Sequence, residues 1–218
     1  MTASHRYSDE ERAALYRAIR ERRDMRHFLP EPIASEIMQR LLEAAHAAPS
    51  VGYMQPWRFI RITDDIMRHD LAELVEEERQ RTAEALGERS NEFLRLKVEG
   101  MRECPELWVV ALTEQRQAYV FGRRTMPRMD LASASCAIQN LWLAARAEGI
   151  GMGWVSIFDP EAVAERLAMP AAAEPIAILC LGHVEAFYEG PMLAHEGWDE
   201  RRSLETLIGE NGWPTPTE

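Results

Sequence analysis

The chain has 218 residues, with 36 acidic side chains against 25 Lys and Arg and a formal charge of −11. That length suits one large domain or two small ones and is ample for a buried core. The acidic balance argues against general binding to nucleic acid or anionic membranes, because phosphate attraction needs a positive field, but it leaves room for a local basic pocket.

The opening stretch, Met1 to Arg12, is polar and lacks the apolar core of a signal peptide. Ser8 to Glu11 reads Ser-Asp-Glu-Glu, a capping-box pattern that opens a helix. Leu15, Tyr16 and Ile19 then share a helical face. The helix is expected to run into Arg22-Arg23-Asp24-Met25-Arg26-His27-Phe28 and to stop before Pro30 and Pro32. A second helix follows, with Ile37, Leu41, Leu42 and Ala45 as its inner stripe, ending near Pro49. Trp57 to Ile62 reads as a strand. Asp65 to Arg89 reads as a long helix dense in Glu and Arg, with a solvated face laced by ion pairs. Ser90 to Glu103 is amphipathic and reads as a separate flap.

Leu107 to Leu112 is a short apolar run, expected as a buried strand. Met129 to Glu148 is the clearest helix, with Ile138, Leu141, Trp142 and Ala145 on one face and Gly149 as its stop. The small residues Ala132 to Ala137 allow close backbone approach, so this helix is expected at the centre or at a subunit contact. Gly151 to Ser156 reads as a strand. Asp159-Pro160-Glu161 caps a short helix. Ile176 to Leu181 is another buried strand, and the tail from His183 is irregular. No stretch approaches the ~18 apolar residues of a membrane span, so the expected compartment is the cytoplasm. The expected organisation is one α+β domain over residues 1–218, with a C-terminal extension at about 183–218.

Arg22, Arg23 and Arg26 surround Asp24. Three guanidiniums at a helix-to-loop junction suit a dianionic phosphate, through their fork-shaped donors. The competing reading is a surface set paired with acids such as Glu21 and Glu31. Asp24 either holds the arginines in place or faces a ligand as a proton acceptor. Pro49-Ser50-Val51-Gly52-Tyr53-Met54-Gln55-Pro56-Trp57 offers backbone donors, a hydroxyl and an amide that can read a planar heterocycle, or is an ordinary connection. The glycines of Gly149-Ile150-Gly151-Met152-Gly153 follow a helix and precede a strand, the reverse of a dinucleotide loop. They are expected to let a strand pass close to something flat. Ser156, at that strand's end, is either a ligand contact or a plain strand-end hydroxyl. The histidines are scattered without metal-ligand spacing, so no metal is expected. Cys104, Cys136 and Cys180 lack a Cys-x-x-Cys and read as reduced, mostly buried thiols.

Taken together, Glu21 to Arg26, Ala44 to Trp57, Met126 to Leu131, Gln139 to Gly149 and Gly153 to Pro160 resemble the nitroreductase-like flavoprotein superfamily. Within it they resemble the aerobic 5,6-dimethylbenzimidazole synthases. The resemblance spans roughly Tyr7 to Gly212 and is loose after Gly190. It implies a mixed sheet flanked by helices, in an intertwined homodimer whose C-terminal extension wraps the partner. It implies reduced FMN as substrate and molecular oxygen as co-substrate, giving dimethylbenzimidazole and D-erythrose 4-phosphate. A separate flavin reductase then supplies the reduced FMN. Mapped by position, Arg22, Arg23, Met25 and Arg26 hold the flavin and its phosphate, and Ser50, Met54 and Gln55 lie beside the ring. Leu96 and Lys97 belong to a lid over 90–103. Asp24 and Ser156 match catalytic positions, and Arg201 adds a phosphate contact. The rival readings are an NAD(P)H-dependent nitroreductase or flavin reductase of the same fold, and a flavin-binding protein without chemistry.

Overall fold

The computed structural model describes residues 5–214. Residues 1–4 and 215–218, the outer ends of the expected domain span, lie outside the described residues. The chain divides into a compact unit ending at Phe187 and a smaller unit from Tyr188 onward.

Helix α1 (Asp9–Glu21) starts on the expected capping box: the Ser8 hydroxyl accepts from Glu11 N–H and the Glu11 carboxylate accepts from Ser8 N–H. It ends at Glu21, earlier than the sequence suggested. Arg22 already has an extended backbone, with φ −58° and ψ 133°. The basic run does not continue the helix because its backbone donors are drawn elsewhere: Met25 N–H bonds Met152 O at 2.9 Å and Leu29 N–H bonds His183 O at 2.8 Å.

Next come α2 (Ser35–His46), β1 (Trp57–Ile62), α3 (Asp65–Ala85), α4 (Ser90–Arg95) and β2 (Glu106–Leu112). The sequence read α3 as running to Arg89. Instead it ends at Ala85, with Leu86 as its C-cap before Gly87 at φ +56°, and one 3-10 turn follows. The compact unit is completed by α5 (Met129–Ala147), β3 (Gly151–Val155), α6 (Pro160–Arg166) and β4 (Glu174–Gly182). The Asp159 carboxylate caps α6 with Pro160 in its first turn, as its pattern predicted. The second unit carries one helical turn, α7 (Met192–His195), and a 3-10 turn at Leu204–Leu207.

The strands form one sheet in the order β1-β2-β4-β3, every neighbouring pair antiparallel. Its parallel element is the isolated bridge from Asp24, outside the named strands, to Met152 of β3. The α+β class therefore holds, with the basic segment as the sheet's parallel margin. The central strands β2 and β4 are apolar and buried almost throughout, so both faces must be covered. Val110 and Leu112 of β2 share a core with Ala177, Leu179 and Leu181 of β4 and with Leu41, Ala45, Ile138 and Leu141. That is the face on which α2 and α5 pack against each other. Alternation turns Leu107, Val109 and Ile178 to the opposite face, on the side of α3 and α6. The small run in α5 serves this close packing, with Ala134 and Ala137 fully buried.

Candidate functional site

The site forms where the extended basic segment crosses the end of β3. Gly153 makes the crossing possible. A Cβ there would lie 2.3 Å from Met25 O and 3.0 Å from the Arg26 guanidinium, so only glycine fits. The Gly-rich strand was expected to pass something flat; what it passes is the protein's own backbone.

Asp24 is the centre of the cluster. Its Oδ1 accepts from the Trp154 N–H at 3.0 Å and its Oδ2 from Arg26 Nη2 at 2.5 Å. Burial pushes the Asp24 carboxyl above its usual range, against the lowering pull of Arg26, the Trp154 N–H and Arg22. The side chain is nonetheless 38% exposed, so it is desolvated by its neighbours without being sealed off. A carboxylate in that state is orientated, solvent-reachable and unusually basic, which suits a proton acceptor. Arg26 is the buried member of the pair, 10% exposed, and also lies 3.5 Å from Trp154 O.

The other arginines have separate settings. The Arg22 guanidinium lies 4.3 Å above the Trp142 ring. Burial lowers its proton affinity, Asp24 raises it, and the like charge of Arg23 lowers it again. Arg23 donates to Arg20 O and Arg22 O at 2.7 Å each, capping the carbonyl end of α1. Its backbone carbonyl accepts from Trp142 Nε1 at 3.2 Å. Arg22 and Arg23 are two half-buried like charges side by side, an arrangement that an incoming anion relieves.

The Ser50–Gln55 loop is conformationally costly. Gly52, Tyr53 and Gln55 all have left-handed φ, at +54°, +54° and +47°. For the two non-glycine residues each such turn costs on the order of 1 kcal/mol, a strain that clusters at functional sites. Ser50 Oγ accepts from Gln55 N–H at 3.1 Å, and the Gln55 amide donates to Tyr53 O at 3.1 Å. Val51 N–H is held by Ser133 Oγ at 3.0 Å.

The expected lid is α4 with the turn after it. Phe93, Leu96 and Met101 are buried, Lys97 pairs with Glu103, and Gly100 lies against the Phe28 ring. Ser156 is exposed, one step past β3 and two residues beyond Trp154. Arg201 is exposed in the second unit.

Thus the structure brings Arg22, Asp24, Arg26 and the β3 end together. Met25 and Met54 are buried side chains that anchor their segments. Trp142 as a cation partner, Ser133 and the Trp154 N–H escaped the sequence reading, which placed Gly153 at a close approach without naming what approaches. Trp142 read as core, and a backbone donor leaves no mark in residue identity. Among the described residues no cluster of His, Cys, Asp and Glu could hold a metal ion, and no helix is long and apolar enough to cross a membrane.

The sequence pattern of the Nitroreductase family matches residues 19–183. A 5,6-dimethylbenzimidazole synthase of Rhodospirillum rubrum is 41% identical over 186 residues, covering 83% of this chain and 87% of its own. A 5,6-dimethylbenzimidazole synthase of Rhodobacter capsulatus is 36% identical over 201 residues, covering 91% of this chain and 97% of its own. The solved structure of the NADPH:FMN oxidoreductase from Vibrio harveyi superposes with a TM-score of 0.71 at 21% identity, covering 94% of this chain and 80% of that one.

Proposed function

The chain belongs to the nitroreductase family, and from that premise we propose that it is a 5,6-dimethylbenzimidazole synthase, fragmenting reduced FMN with oxygen to dimethylbenzimidazole and D-erythrose 4-phosphate, the former serving as the lower ligand of cobalamin. The observation that carries this reading is Asp24: a basic, orientated carboxylate beside an arginine pair. The names of the two synthase relatives support the same assignment.

The donor set fits FMN. Arg22 and Arg23 take the phosphate, relieving their mutual repulsion. Ser50 and Gln55 read the polar edge of the ring from the strained loop. Reduced FMN, as substrate, brings the electrons that oxygen consumes. Asp24 accepts the proton lost from the ribityl carbon next to the ring, and Arg26 and the Trp154 N–H hold the carboxylate at the angle it needs. Ser156, two residues beyond Trp154, offers a hydroxyl to the ribityl chain. Leu96 and Lys97, in the lid, exclude water that would divert the reaction. The resemblance to the synthases gives Arg201 a phosphate contact. A homodimer completes the site, the extension of each chain lying along its partner, and a separate flavin reductase delivers the reduced FMN in the cytoplasm.

A coupled assay tests the proposal by following flavin and nicotinamide together. Loss of FMN without direct NAD(P)H oxidation is the expected result. NAD(P)H oxidation with FMN returned intact identifies a nitroreductase or flavin reductase instead. FMN retained through reduction and aeration identifies a binding protein without chemistry.

A further inference from the structure

The Ser50–Gln55 loop ties itself through Gln55 N–H to Ser50 Oγ and the Gln55 amide to Tyr53 O, and a further constraint on its left-handed residues comes from outside. It comes from the first turns of α5. Ser133 is buried, donates its hydroxyl hydrogen to Met129 O at 2.6 Å and accepts the Val51 N–H at 3.0 Å. With its single hydrogen committed to the helix, its oxygen faces the loop as an acceptor, which fixes the direction of the contact. One turn earlier, the buried Asp130 pairs with Arg123 at 3.0 Å and with Arg116 at 3.5 Å. Arg123 Nε donates to Pro127 O at 3.1 Å, and Arg116 also pairs with Glu174 of β4 at 3.0 Å. These bonds fix the 114–128 connection, which closes back over the loop. A Cβ on Gly52 would meet Phe121 O at 3.2 Å, and one on Gly122 would meet the Val51 side chain at 2.4 Å.

We infer that Ser133 is a positioning residue for the loop that reads the flavin edge, with Asp130 bracing the same loop from outside. The inference rests on the reading that this loop faces FMN. Without the Ser133 acceptor, Val51 N–H loses its partner and the strained residues relax toward ordinary φ, so Ser50 and Gln55 lose their aim. Ser135 supplies the control. Its hydroxyl donates to Leu131 O at 2.9 Å in the same back-bonded way, and among the described residues it makes no hydrogen bond to the loop.

The experiment compares Ser133→Ala with Ser135→Ala in the full chain, measuring melting temperature, FMN dissociation constant and the visible spectrum of bound oxidised FMN. Ser133→Ala is expected to bind FMN roughly tenfold more weakly, the equivalent of one buried hydrogen bond, with a shifted flavin spectrum. Its melting temperature stays close to that of Ser135→Ala, and Ser133→Thr, which keeps the hydroxyl, recovers the affinity. Ser133→Cys, which keeps the volume and weakens the acceptor, carries the same comparison where alanine leaves too little folded protein. Equal affinity and equal spectra in the Ser133 and Ser135 variants overturn the inference. Binding is read without turnover, so a wild type that binds FMN but forms no benzimidazole defeats the proposed function and leaves this comparison decisive. A wild type that binds no FMN overturns both.

Discussion

Asp24 carries two requirements at once: it must be basic enough to take a carbon-bound proton, and it must stay ionised. Burial raises its pKa, while Arg26, the Trp154 N–H and Arg22 keep the charge tolerable. The acid limb of the pH–rate profile should therefore lie above the ordinary aspartate value of about 4. The direction follows from the role: below its pKa Asp24 is protonated, accepts nothing, and the rate falls as pH falls. Asp24→Asn should lower benzimidazole formation by about a hundredfold or more, the usual worth of a general base, while FMN binding stays near normal. Undiminished product with normal binding would refute the role. Arg22→Ala, by contrast, should weaken FMN binding roughly 10- to 100-fold, the range for a hydrogen bond to a charged group, as read by flavin fluorescence titration. The arginines and Asp24 were legible from their side chains alone, because a basic cluster stands out in an acidic chain. Their division of labour was not: the stacking of Arg22 on Trp142 and the anchoring of Asp24 by the Trp154 N–H depend on contacts distant in sequence, and they leave Arg23 to cap α1 and Arg26 to pair with Asp24 locally.

The site depends on a crossing between the segment after α1 and the end of β3. Gly153→Ala would force a Cβ against the Met25 carbonyl, which belongs to backbone and cannot rotate away. Overpacking of this kind costs about 1–3 kcal/mol, so a lower melting temperature is expected together with loss of product, because Asp24 moves with the segment. Wild-type stability and activity in this variant would mean that the close approach is not needed. The strands and α5 were readable from hydrophobic pattern, since β2 and β4 are continuous apolar runs and Ile138, Leu141, Trp142 and Ala145 keep helical spacing. The early end of α1 was not readable. Arg and Met are acceptable helix formers, and the helix yields there because Met152 and His183 offer backbone partners that only the folded sheet supplies.

At the scale of the whole molecule, α1 is amphipathic yet buries none of its residues within the chain. Leu15, Tyr16 and Ile19 are 49%, 57% and 47% exposed. An apolar helical face left open in this way suits the contact with a second copy that the proposed homodimer requires. Light scattering should give about twice the 25.0 kDa chain mass, and Ile19→Glu should shift the protein toward monomer and weaken flavin binding with it. A wild-type monomer that binds FMN would contradict the shared site. The net charge of −11 averages over two unlike surfaces. The acid gathers on α3, where Glu76, Glu77 and Glu78 pair with Arg79 and Arg81, while the arginines beside Asp24 make a local positive site. The central claim, that this site consumes its flavin, is tested most directly by mass spectrometry of products after oxygen is admitted to the protein with chemically reduced FMN. Dimethylbenzimidazole and erythrose 4-phosphate should appear together, in proportion to the FMN lost and only with active protein. FMN recovered whole, with no benzimidazole, would contradict it.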